Sequence, residues 1–92
     1  SRETTASQKR KEYVDLWLAE KTPDFTAGEN NLNTCVEALL FMSADQIKEH
    51  EQYIKGKVLA LYKIFYETSN SALAQIFRTA ICYLDEVLNL EQ

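Results

Sequence analysis

From Ser43 to Thr68 the chain reads SADQIKEHEQYIKGKVLALYKIFYET. Ile47, Ile54, Val58, Leu61 and Phe65 recur in it at steps of three, four or seven. That spacing sets them on one face of a helix. Glu51 is the one charged residue in the seam. Ser43 and Gln46 form an S-x-x-Q capping pair, and Asp45 stands in the first turn, where the helix dipole favours negative charge. A helix over the whole stretch spans roughly 37 Å at ~1.5 Å per residue. In so short a chain the other elements must be arranged around it.

The two halves of this stretch differ. Asp45 to Lys57 is mostly polar, whereas Val58 to Tyr66 reads VLALYKIFY with Lys63 its sole charge. A helix apolar nearly all round is buried on several sides, so the second half is expected at the centre of the core. Gly56 lies near the junction. A glycine there costs about 1 kcal/mol relative to alanine. It marks an exposed position, a bend or break, or a close approach to a partner.

The 92 residues suffice for one domain with a modest core. Hydrophobic residues make up 46%, which argues against disorder. Two Gly and one Pro are too few turn residues for a sheet protein of this size, so helices are expected. The net charge is −4. It is unevenly spread: Ser1 to Lys11 carries +3, and the chain from Glu12 onward −7. An acidic body argues against a general nucleic-acid binder, but the basic start could serve as an arm. Cys35 and Cys82, far apart in sequence, read as reduced thiols of an intracellular protein, cytoplasmic or nuclear. No run approaches the ~18 apolar residues of a membrane span. The chain begins with Ser and is expected to be processed or cut from a longer protein.

Residues 1–8 are polar and expected to fray. A first helix is expected from about Ser7 to Lys21, with Tyr13, Val14, Trp17 and Leu18 as its stripe. Thr22-Pro23-Asp24 is a helix-start signal that predicts a short turn, with Phe25 plugging the core and a polar loop from Glu29 to Asn33. A second helix is expected from Asn33 or Thr34, where TCVE matches a capping box and Leu32 a staple. Thr68 to Ser71 breaks the long helix and caps a last one, Ser71 to about Leu90. Its broad apolar face runs from Leu73 to Leu88, opposite a stripe of Gln75, Arg78, Cys82, Asp85 and Asn89. The short link makes the last two helices antiparallel neighbours.

Chemistry-bearing patterns are scarce. His50-Glu51 opens an H-E-x-x-H motif, but Ile54 stands where the second His must be. Cys82 lies on the polar stripe of the last helix, four residues after Arg78, and Cys35 reads as core. Gly28 and Gly56 are isolated, which excludes a phosphate-binding glycine loop. No enzyme activity, metal site or cofactor is expected.

The aromatic residues carry the remaining signal, because Tyr and Trp pair a large apolar body with a polar tip and are common in interface hot spots. The expectation is an all-α domain spanning 1–92. It is a small four-helix bundle, with a short helical turn near Pro23, packed around a long central helix. Its expected function is protein–protein interaction, as an adaptor, an inhibitor or immunity-type protein, or an oligomerisation module. Trp17, Tyr62 and Tyr66 are the expected anchors, with Leu59 on the face of the two tyrosines. The alternative is a nucleic-acid-associated regulatory domain using Lys9, Arg10 and Lys11, with Tyr13 beside them.

Overall fold

The computed structural model describes residues 2–24 and 31–90. Among them are five helices and no strand: α1 Arg2–Leu18, α2 Leu32–Leu40, α3 Ala44–Glu49, α4 Glu51–Glu67 and α5 Ser71–Leu90. The all-α class expected from sequence is what the chain adopts. Its envelope is 35 × 35 × 19 Å. A helix with its side chains is ~10–12 Å across, so this slab is two helices thick. Each helix therefore keeps a flank towards solvent.

Helices α4 and α5 share the largest interface, α1 packs on α2, and α5 also touches α2 and α3. The core joins Trp17 from α1, Cys35 and Leu39 from α2, Ile47 from α3, Val58 and Phe65 from α4, and Phe77 and Leu84 from α5. Phe65 and Phe77 stack at 5.7 Å and 12°, fixing the register of α4 on α5.

The long central helix is two helices. α3 ends and α4 begins at His50, whose φ of −111° and ψ of 26° depart from the helix. The His50 N–H still closes α3 on the Gln46 carbonyl, and the His50 carbonyl accepts from Ile54 to start α4. Turning at His50 lets α3 lie on α5 while Ile47 and Ile54 both stay buried. Gly56 neither bends nor breaks the chain. It sits inside α4, exposed, with open space where a Cβ would be. The second half of α4 is also less enclosed than its composition predicts. Val58, Leu61 and Phe65 are buried, but Leu59, Ile64 and Tyr66 face solvent.

The helix ends are built as their local chemistry dictates. The capping box predicted at Ser43 is present: Gln46 N–H donates to Ser43 Oγ, and Ser43 N–H donates to Gln46 Oε1. At the end of α4, Ser69 takes φ 60°, its N–H donating to the Tyr66 carbonyl and that of Asn70 to the Phe65 carbonyl. Asn70 Oδ1 then accepts from the Leu73 N–H, capping α5. α1 closes the same way, with Glu20 at φ 58°.

Three boundaries depart from expectation. α1 begins at Arg2 and ends at Leu18, earlier at both ends than the apolar stripe suggests. α2 begins at Leu32, and Asn31 makes no side-chain cap bond, so TCVE is not its cap. Burying Leu32 one turn before Cys35 extends the helix backwards. Lys21 to Asp24 is not helical. The Thr22 hydroxyl, expected to cap a turn, instead meets the Tyr53 hydroxyl, which also accepts from the Thr22 N–H at 2.9 Å. The expected plug Phe25, and the rest of the short turn, lie outside the described residues.

Candidate functional site

Helix α5 runs along one face of the slab with a furrow on either side of it. The first lies between α2 and α5 and has a volume of about 250 Å³. Val36, Leu39 and Leu40 form its α2 wall; Ile76, Ala80 and Tyr83 form its α5 wall. Only Gln75 and Thr79 bring polar side chains, besides the Tyr83 hydroxyl. The wall residues on each helix recur at steps of three and four, so each helix offers a continuous apolar stripe. Leu40 is 59% exposed at the rim, and Phe41, next in the chain, is 61% exposed.

The second furrow lies between α4 and α5. Near its closed end it holds Tyr62, Tyr66, Ala74 and Arg78, with Ser69 and Ser71 at the turn. Further along, Leu59 meets Ile81 and Leu84 beside Lys55 and Gly56. Gln75 borders both furrows. The Tyr62 and Tyr66 rings stand 5.9 Å apart and tilted by 36°. Tyr66 is 68% exposed and Tyr62 half-buried.

The structure brings two of the three expected anchors together and separates the third. Trp17 is 0% exposed and cannot be a contact residue on the folded surface. Its indole N–H donates to the Cys35 carbonyl, and its ring meets Tyr53 edge-on at 6.2 Å. The stripe that suggests a hot spot is the stripe on which α2 packs.

Two of the three basic residues expected to meet nucleic acid, Lys9 and Arg10, contact other groups of this chain. Lys9 Nζ is 3.9 Å from Glu12 Oε2. Arg10 donates to Ser7 Oγ, and its guanidinium lies 4.4 Å from the centre of the Phe41 ring. Lys11 is exposed and lines a shallow cleft with Arg10, Val14 and Phe41. The exposed Phe41 is thus partly covered by a cation.

No protein-family model, no curated protein and no solved structure matches the chain.

The titratable groups offer little catalytic geometry. Burial pushes the Cys35 thiol up from 9.0 to about 12, while the Lys57 charge and Trp17 pull the other way. A thiol held neutral under apolar cover is a poor nucleophile. Cys82 is exposed on α5. His50 is half-buried at the α3–α4 corner, with Nδ1 3.6 Å from Glu20 Oε2. Among the described residues no group of three His, Cys, Asp or Glu side chains is placed to hold a metal ion, and no helix is long and apolar enough to cross a membrane. The α2–α5 furrow is hidden in the sequence because Leu40 and Phe41 sit in a run of apolar residues that reads as core. Its signal is the change from buried Ala38 and Leu39 to exposed Leu40 and Phe41, which only packing reveals.

Proposed function

We propose that this domain is a protein–protein interaction module that receives a partner on the face built by α2, α5 and α4. One observation carries the reading: the α2–α5 furrow is open, walled by apolar side chains, and rimmed by a leucine that is 59% exposed. Apolar surface left in water is stabilised by covering it, at about 25 cal/mol per Å². A helix laid in a groove does so with side chains at i, i+3, i+4 and i+7. The Tyr62–Tyr66 pair beside Arg78 supplies a second contact area across α5. It combines apolar bodies with polar tips, as hot spots do.

The test is affinity capture from source lysate, with and without nuclease, using the wild-type domain and Leu40→Asp. Leu40 is exposed, so the variant is expected to fold. A discrete protein that survives nuclease and is lost with Leu40→Asp supports the module. Recovery that collapses with nuclease and ignores Leu40→Asp rejects it.

A further inference from the structure

We infer that the cleft between α1 and Phe41 binds an acidic peptide segment that carries an apolar anchor. This site is distinct from the α2–α5 furrow, although Leu40 of the furrow and Phe41 of the cleft are neighbours in the chain.

The α1 wall comes first. Ser7, Arg10, Lys11 and Val14 stand at i, i+3, i+4 and i+7, which sets them on one face of the helix. Phe41, the C-cap of α2, closes the cleft from the other side. The space between them has a volume of about 340 Å³. Val14 is half-buried and Phe41 exposed, so a side chain entering the cleft meets apolar surface from both walls.

Charge comes second. Both charged side chains of the lining, Arg10 and Lys11, are basic. The Arg10 guanidinium is held against the Phe41 ring and donates one hydrogen bond to Ser7 Oγ at 3.2 Å. Its other N–H groups make no hydrogen bond among the described residues. A guanidinium fixed in this way can donate two parallel hydrogen bonds to a carboxylate. Lys11 is exposed and makes no ion pair, hydrogen bond or ring contact among the described residues. Of the acids nearby in sequence, Glu12 faces Lys9. Asp15, one turn after Lys11, and Glu37, one turn before Phe41, are exposed and stand outside the lining. The cleft thus joins two cations to apolar walls.

The same arrangement favours a peptide over a polynucleotide. Nucleic acids bind through many phosphates at once, and affinity grows with the number neutralised. Here the lining offers two cations, and the chain from Glu12 onward carries −7, which repels a polyanion. Arg10 also covers one face of the Phe41 ring, which removes that face from base stacking. A segment with one or two carboxylates beside a Leu or Phe satisfies both the cations and the apolar walls.

The experiment titrates the domain into labelled probes and reads anisotropy at low and high salt. One peptide sets a Leu and a Phe among Glu residues. A second replaces each Glu by Lys, a third replaces Leu and Phe by Ser, and a short single-stranded DNA is the fourth probe. The Glu-flanked apolar peptide is expected to bind about tenfold tighter than any other, the preference shrinking as salt screens the cations. Arg10→Gln with Lys11→Gln is expected to weaken it about tenfold, and Phe41→Ser by a similar factor, with the helical circular dichroism unchanged. Lys11→Glu alone, at an exposed position, is expected to weaken it in the same direction. Leu40→Ser strips the furrow's rim without adding charge and is expected to leave this binding intact. Absence of binding, tighter binding of the Lys-flanked peptide, or indifference to the Arg10 and Lys11 changes overturns the cleft. Loss with Leu40→Ser alone moves the contact to the furrow, which overturns the cleft and leaves the interaction reading standing. DNA binding that exceeds the Glu-flanked peptide and is lost with the Arg10 and Lys11 changes overturns the acidic peptide in favour of nucleic acid. Sedimentation equilibrium showing a dimer broken by those changes assigns the cleft to a second copy and overturns the proposal.

Discussion

Trp17 Nε1 donates to the backbone carbonyl of Cys35 across 3.0 Å, tying α1 to α2 inside the core. The bond pairs the only polar atom of the indole with a carbonyl that water cannot reach. Trp17→Phe keeps an aromatic ring but removes the donor and part of the volume. It is expected to cost about 1–3 kcal/mol, from the lost hydrogen bond together with the smaller ring in a fully buried site. Urea unfolding followed by circular dichroism checks this; the midpoint falls and the slope is unchanged.

Cys35 makes stability depend on alkaline pH. Its thiol is raised by burial from 9.0 to about 12. Between those values the unfolded chain has lost this proton and the folded one has kept it. The unfolded state therefore binds fewer protons, and stability falls as pH rises from 9 towards 12, by up to about 1.4 kcal/mol per unit. Cys35→Ala is expected to lose this contribution to the slope, although its stability at neutral pH is lower. Thiol labelling of the native domain is expected to modify exposed Cys82 fast and buried Cys35 only after unfolding.

Ser69 holds φ 60° to close α4, a conformation that costs any residue with a Cβ about 1 kcal/mol or more. Ser69→Gly is expected to stabilise the domain by about 0.5–1 kcal/mol, less what the unfolded chain gains in freedom. Glu20→Gly relieves the same strain at φ 58° but removes the partner of His50, so its gain is smaller. Thermal unfolding of the two variants side by side ranks them.

Gly56 is the converse case. It lies inside α4, exposed, with no atom within 4 Å of the point a Cβ would occupy. Gly56→Ala is expected to raise stability by about 0.5–1 kcal/mol through helix propensity alone. A loss on urea unfolding would mean that α4 needs the glycine for a contact.

Tyr53 serves the α1–α2 connection from α4. Its hydroxyl accepts from the Thr22 N–H at 2.9 Å and meets the Thr22 side-chain hydroxyl. Thr22 is buried, so its N–H has no ready access to water. Tyr53→Phe is expected to cost about 1–3 kcal/mol. Amide exchange at Thr22 should accelerate more than exchange within α5.

Where a helix is decided by neighbours in sequence, the chain can be read directly. The Ser43–Gln46 box, the break at Thr68 to Ser71 and the apolar face of α5 all follow from local spacing. The corner at His50 does not show, because no Gly or Pro marks it and its cause lies in distant groups. α5 takes α3 on its surface, Glu20 meets His50, and Thr22 meets Tyr53. Trp17 is ambiguous for a related reason. A stripe of Tyr13, Val14 and Trp17 serves a core and an interface equally well until the helix that covers it is known. Tyr62 and Tyr66 are legible as a pair because one helical turn sets them together, whereas the α2–α5 furrow needs two helices distant in sequence.

The connection that leaves α1 is fastened to α4 at two points one helical turn apart. Thr22 bonds Tyr53, and the half-buried Lys57 ammonium pairs with the Asp24 carboxylate. With Trp17 under α2, α1 and the residues that follow it are therefore held by two helices at once, so a change that loosens either α2 or α4 also loosens α1.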